Sequence, residues 1–145
     1  MGYTTICVAN QKGGVGKTTT SVNLASALAG INKKVLLIDL DPQGNATMGC
    51  GVDKHELELS AYEVLTDGAG IRSAVKRSAE NQFDVLPSNT DLTAAEVGLI
   101  SMSMKEQRLQ LALKPIQADY DYVLIDCPPS LSMLTIHALV ASQGV

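Results

Sequence analysis

The sequence predicts an α/β fold, a parallel sheet covered by helices on both faces, and three observations carry that prediction. Short apolar, β-prone runs alternate along the chain with helix-patterned stretches, the order that gives a parallel sheet with right-handed crossovers. The run Val35-Leu36-Leu37-Ile38 is continuous rather than alternating, as a strand covered on both faces is. The first apolar run leads through a glycine-rich loop straight into a helical pattern.

Thr4-Thr5-Ile6-Cys7-Val8-Ala9 reads as the first buried strand. Lys12-Gly13-Gly14-Val15-Gly16-Lys17-Thr18-Thr19 follows. A helix then runs from Thr20 to Ala29, with Val22, Ala25 and Ala29 on one face and Gly30 as its stop. Strand, glycine loop and helix are the setting of a phosphate-binding loop. Glycines let backbone N–H groups turn inward with no Cβ in the way, and the helix N-terminus adds partial positive charge at the same spot. In such a loop Lys17 reaches the β- and γ-phosphates and the Thr18 hydroxyl meets Mg²⁺. The general pattern G-x-x-x-x-G-K-S/T asks for glycine where Gln11 stands, and this sequence has Lys12 and Gly13-Gly14 instead. A glycine-rich turn that binds nothing is the plainer alternative, and the flanking strand and helix argue against it.

Lys33 to Leu40 holds the second strand, which runs into Asp39-Leu40-Asp41-Pro42-Gln43-Gly44-Asn45. Acidic residues at a buried strand's carboxyl end stand where open α/β sheets bind ligands. The same residue types also make an ordinary strand-to-turn exit, and the residues alone leave both readings open. Residues 46–59 read as loop. Ser60-Ala61-Tyr62-Glu63 is a capping-box pattern opening a short helix through Leu65, ended by Asp67-Gly68-Ala69-Gly70. Arg72, Lys76 and Arg77 then share a helical face, either a small basic patch or a solvated surface.

Phe83-Asp84-Val85-Leu86-Pro87 is the third strand. Thr90 or Asp91 caps a helix with Leu92, Ala95, Leu99 and Met102 inward, and another helix turns Leu109, Ala112, Leu113 and Ile116 inward. Tyr120 to Asp126 is the fourth strand. Asp126 at its end reads as the acidic Mg²⁺ partner of a phosphate loop, or as a cap for the next segment. Cys127-Pro128-Pro129-Ser130 turns the chain into a last helix from Leu131 to about Ser142.

Composition sets bounds. At 145 residues, 46% of them hydrophobic, the chain is globular and one domain at most. Net charge is −4 with Lys and Arg scattered, so no strong polyanion-binding surface is visible. No apolar run is long enough to span a membrane, and the N-terminus has no signal-peptide pattern. Three cysteines without C-x-x-C fit reduced thiols in a cytoplasmic protein. Cys7 reads as packed core and Cys50 as a loop residue. His55 and His137 lack ligand-spaced neighbours.

Three motifs in one order carry a family resemblance. K-G-G-V-G-K-T resembles the deviant phosphate loop, K-G-G-x-x-K-S/T, of the family that includes ParA and Soj partition ATPases, MinD and the nitrogenase iron protein. D-L-D-P-Q-G-N-A-T and D-C-P-P-S are similar to the ParA and Soj versions of the second and third motifs. The resemblance covers essentially the whole chain. It implies a three-layer P-loop NTPase fold with strand order 3-2-4-1 in the part present, further strands and helices belonging to a longer domain of which residues 1–145 are the N-terminal part.

It further implies Mg²⁺-dependent ATP binding and slow ATP hydrolysis in chromosome or plasmid partitioning. Lys12, Gly13, Gly14, Val15, Gly16, Lys17, Thr18 and Thr19 would hold the nucleotide, and Thr18 and Asp126 the metal. Asp41 would lie near the γ-phosphate and the attacking water. Lys12 would reach across a two-fold interface to the other subunit's nucleotide in an ATP-dependent homodimer. A ParB-like activator and non-specific DNA are the implied partners, with the DNA-contacting part in the family's later segments and the full-length protein on the nucleoid. Two alternatives stand beside this. One is a MinD-like switch with negligible hydrolysis. The other is an iron–sulfur relative, disfavoured because Ser130 to Met133 offers no cysteine.

Overall fold

The computed structural model describes residues 4–8, 15–78, 82–94, 108–116 and 118–127, with residues 7, 8 and 15–19 described for their backbone alone. Among these residues β1 (Thr4–Val8), β2 (Val35–Asp39), β3 (Lys76–Arg77), β4 (Asp84–Leu86) and β5 (Tyr122–Asp126) form one sheet in the order β1-β5-β2-β4-β3. The four predicted strands therefore stand in the expected order, all parallel. The sheet gains one strand that the sequence reading lacked. Lys76–Arg77, expected on a helical face with Arg72, pairs antiparallel with β4, and Arg77 Nη1 lies 2.8 Å from Asp84 Oδ1. The preceding helix α4 (Ile71–Ala74) ends too early to include them. A cross-strand ion pair and ladder override a weak helical pattern here.

The sheet is the middle of three layers because its strands alternate on a period of two. Val35 and Leu37 of β2 and Leu124 of β5 face one side, against α1 (Val15–Gly30) and α2 (Asn45–Gly49). Leu36 and Ile38, with Val123 and Ile125, face the other side, against α3 (Ala61–Thr66), α4 and α5 (Arg108–Leu113). All five β2 residues are buried, which is why that run needs no polar face.

Local chemistry sets the helix ends. α1 ends at Gly30, as expected, and the left-handed residue that closes it is Asn32, with φ 66°. Lys33 N–H donates to the Leu28 carbonyl and Asn32 N–H to that of Ala29, the paired bonds of a Schellman ending. α3 opens on the predicted capping box, the Ser60 side chain accepting from the backbone and Glu63 Oε1 accepting from Ser60 N–H at 2.7 Å. α2 and a 3-10 turn at Lys54–Glu56 replace the expected loop at 46–59, and Cys50 at the α2 end is buried rather than in an open loop. Leu92, Leu109, Leu113 and Ile116 are buried as expected, and Asn89 Oδ1 accepts from Asp91 N–H ahead of the turn at Leu92. Ala95, Leu99, Met102, His137 and the helix from Leu131 lie outside the described residues.

Candidate nucleotide site

Three parallel strands end side by side. Val8 of β1 is in register with Asp126 of β5, and Asp126 with Asp39 of β2. Register partners in a parallel pair share a face, so both aspartates lie on the α1 side of the sheet. Both are fully buried. Ser21 Oγ on α1 donates to Asp126 Oδ1 at 2.8 Å, which ties the early turns of that helix to the carboxyl end of β5. Lys17 and Thr18 occupy the helical turn just before Ser21, and α1 begins at Val15, seven residues after Val8 at the end of β1. Lys12, Gly13 and Gly14 lie outside the described residues, as do the side chains of Val15, Lys17, Thr18 and Thr19.

Asp39 is the residue that sequence reasoning named without giving it a role. Its Oδ2 accepts from Thr47 N–H at 2.9 Å and from Thr47 Oγ1 at 2.7 Å, and its Oδ1 from Asp41 N–H at 3.0 Å. Burial pushes its carboxyl up to about 6, against those donors, which pull it down, with the negative Asp126 adding to the rise. Between the ordinary 3.8 and about 6 the folded chain holds a proton there that the unfolded chain has released. Its contribution to stability therefore falls as pH rises through that window, by at most about 1.4 kcal/mol per pH unit. Urea unfolding of nucleotide-free, magnesium-free parent and Asp39→Asn across this range checks the sign. The stability of the parent relative to the variant should fall as pH rises; parallel curves would contradict it.

Asp41 stands just past β2, 7% exposed, beside Leu40, whose N–H donates to the Asp126 carbonyl at 2.9 Å. Its Oδ1 accepts from Gln43 N–H at 3.0 Å, closing an Asx-type turn that Gly44 completes with φ 68°. The Lys54 ammonium caps the Gln43 carbonyl across this turn. A Cβ on Gly44 would lie 2.7 Å from Lys54 Cδ and 3.0 Å from the Ser88 carbonyl oxygen. Gly44→Ala is expected to cost about 1–3 kcal/mol, strain at positive φ adding to the clash. An unchanged urea midpoint would show that the turn relaxes freely.

The donor set at this rim is oxygen: the carboxylates of Asp41 and Asp126 and the hydroxyl of Ser21. Cys127 packs in the core on the opposite face of the sheet. Among the described residues no group of three or more His, Cys, Asp or Glu side chains converges as a metal cage. A few carboxylates completed by phosphate oxygens suit Mg²⁺, which keeps waters and favours hard donors. The residues present fit a magnesium–nucleotide.

A family described as an AAA domain matches residues 3–145. The chain belongs to that family. It is 64% identical over 138 residues to an uncharacterized protein of Pseudomonas putida, covering 95% of this chain and 52% of that one. It is 50% identical to the sporulation initiation inhibitor protein Soj of Bacillus subtilis over 97% of this chain and 55% of Soj. It is 46% identical to the chromosome partitioning protein ParA of Myxococcus xanthus over 97% of this chain and 50% of that protein. The resemblance to ParA and Soj that the motifs carry is thus borne out, and the chain spans about half the length of these relatives. Among solved structures it is similar to cobyrinic acid a,c-diamide synthase from Mycobacterium smegmatis with a bound ATP analogue and magnesium, with TM-score 0.93, 42% identity and coverage of 97% and 57%. It is also similar to an ATP complex of Cyanothece McdA, with TM-score 0.88, 32% identity and coverage of 97% and 54%.

Proposed function

We propose that residues 1–145 are a phosphate-loop nucleotide-binding domain of a ParA/Soj-type partition ATPase. It binds ATP with Mg²⁺, hydrolyses it slowly and dimerises in the ATP state during chromosome or plasmid partitioning. The observation that carries this reading is the buried Asp126–Asp39 pair at the carboxyl ends of adjacent parallel strands, tied by Ser21 to the helix that begins within the K-G-G-V-G-K-T segment. Bound Mg²⁺–ATP supplies the transferable phosphoryl group. Lys17 and the loop amides offset phosphate charge, Thr18 and Asp126 hold the metal and its water shell, and Asp41 orients the attacking water. Lys12 of one subunit serves the nucleotide of the other. A ParB-like activator, non-specific DNA and a cytoplasmic, nucleoid-associated location belong to the same reading. Among the described residues no helix is long and apolar enough to cross a membrane.

Equilibrium titration of the complete protein with ATP and GTP, with and without Mg²⁺, tests the reading. Tight, magnesium-dependent binding that favours ATP supports it, and affinity unchanged by removing Mg²⁺ contradicts it. A second reading, ATP-dependent amidation, is favoured by the likeness to cobyrinic acid a,c-diamide synthase. ATP consumption that requires cobyrinic acid and an amide-nitrogen donor would select it.

A further inference from the structure

Four residues close a hydrogen-bonded ring behind the Asp41 turn. Asp41 N–H donates to Asp39 Oδ1 at 3.0 Å, and Thr47 Oγ1 donates to Asp39 Oδ2 at 2.7 Å. Ser88 N–H donates to Thr47 Oγ1 at 2.9 Å, and Ser88 Oγ donates to the Asp41 carbonyl at 2.6 Å. Asp39, Thr47 and Ser88 are fully buried, and Asp41 carries the little exposure the ring has. The members come from the end of β2, from α2 and from the exit of β4, so the ring joins three separate elements.

Both hydroxyls are committed. The Thr47 hydroxyl donates once and accepts once, and the Ser88 hydroxyl gives its proton to Asp41. Deleting the Thr47 hydroxyl leaves the buried Ser88 N–H without this acceptor, the situation that makes such bonds costly to lose, whereas deleting the Ser88 hydroxyl leaves the Asp41 carbonyl held by Gly44 N–H at 2.9 Å. The ring grips Asp41 by the amide before its Cα and the carbonyl after it. Both adjoining peptide planes are then fixed, and the direction of the Cα–Cβ bond with them. Gln43 N–H takes one carboxylate oxygen at 3.0 Å, which leaves the other as the free acceptor of this turn among the described residues.

We propose that Thr47 and Ser88 are positioning residues for Asp41, so that the rate of ATP hydrolysis, and not ATP affinity, depends on their hydroxyls. This rests on the reading of Asp41 as the residue that orients the attacking water. Small misplacements of a catalytic group cost rates of about 10²-fold, and the ring is what prevents them here.

The test uses Thr47→Val, which keeps the shape and loses the hydroxyl, with Thr47→Ser as its rescue and Ser88→Ala as an independent break, all in the complete protein. Thr47→Val and Ser88→Ala should lower single-turnover hydrolysis roughly 10- to 100-fold with ATP affinity within about twofold of the parent, while Thr47→Ser stays within about threefold. In the nucleotide-free protein, amide exchange at Ser88 N–H should speed up in Thr47→Val and not in Thr47→Ser. In an Asp41→Ala background Thr47→Val should have no further effect on rate, since the group it positions is gone. An unchanged rate in Thr47→Val beside an inactive Asp41→Ala overturns the proposal. So does an equal fold-loss in both backgrounds, which would mark a purely structural role. An Asp41→Ala protein that hydrolyses ATP like the parent instead overturns the reading of Asp41 itself, and the proposal with it.

Discussion

Asp41→Ala is expected to bind ATP like the parent and to hydrolyse it about 10²–10⁴-fold more slowly, the usual weight of a positioned acid–base or water-orienting group. The expectation follows from where Asp41 sits. It is two residues past the β2–β5 pairing, next to the rim where the strands end, and its backbone is fixed on both sides. It lies off α1 and off the glycine loop, so its removal leaves the phosphate cradle as it was. The alanine loses the carboxylate bond to Gln43 N–H but keeps the backbone N–H that Asp39 accepts and the carbonyl that Ser88 Oγ and Gly44 N–H reach, so the turn should persist. Phosphate release under single-turnover conditions, beside a nucleotide-binding titration, checks both halves. Equal turnover in variant and parent would remove Asp41 from the chemistry.

Lys12→Ala and Lys17→Ala are expected to fail differently. Two lysines five apart in one loop repel unless a large negative charge lies between them, and triphosphate supplies that charge. In the proposed reading Lys17 serves the phosphates of its own loop, so Lys17→Ala should lose nucleotide binding by orders of magnitude. Lys12, which the family resemblance directs across a two-fold interface, is proposed to act when two ATP-loaded subunits meet. Lys12→Ala should therefore bind ATP as a monomer, fail to dimerise and fail to hydrolyse, as when an arginine finger given in trans is removed. Sedimentation of both variants with ATP separates the cases. If Lys12→Ala dimerises like the parent, Lys12 is a local loop charge.

Much of this architecture was legible because it rests on local or periodic signals. The unbroken apolar run at Val35 to Ile38 marked a strand covered on both faces, and Ser60 with Glu63 marked the start of α3. What was missed depends on contacts between distant residues. α2 is five residues long, N-A-T-M-G, with no apolar period to reveal it, and it is anchored by Thr47 on Asp39. β3 is two residues that become a strand only because Asp84 receives Arg77. Gly30 ends α1 as expected, yet the left-handed position that closes the helix falls to Asn32, the other residue type that tolerates such backbone.

The candidate site divides in the same way. Asp41 and Asp126 were readable as acids at the ends of buried strands. Thr47 and Ser88 were not, because a threonine in a short turn and a serine after a proline look like ordinary loop residues. Their partners lie 8 and 47 residues away. Asp39 stood in plain view beside Asp41. Its burial and its register with Asp126 separate the two aspartates' roles, and neither property is written in the local string.

The oxygen-lined rim around Asp126 and Asp41 is proposed to serve a magnesium–ATP complex and to turn it over. The most direct measurement is single-turnover hydrolysis of ATP by the complete protein, with enzyme in excess and Mg²⁺ either present or chelated. Phosphate release should be slow, should require Mg²⁺, should fall about 10²–10⁴-fold in Asp41→Ala while ATP remains bound, and should stop in Lys17→Ala because ATP no longer binds. Bound ATP that stays intact with Mg²⁺ present, or is cleaved equally well without it, would contradict the account.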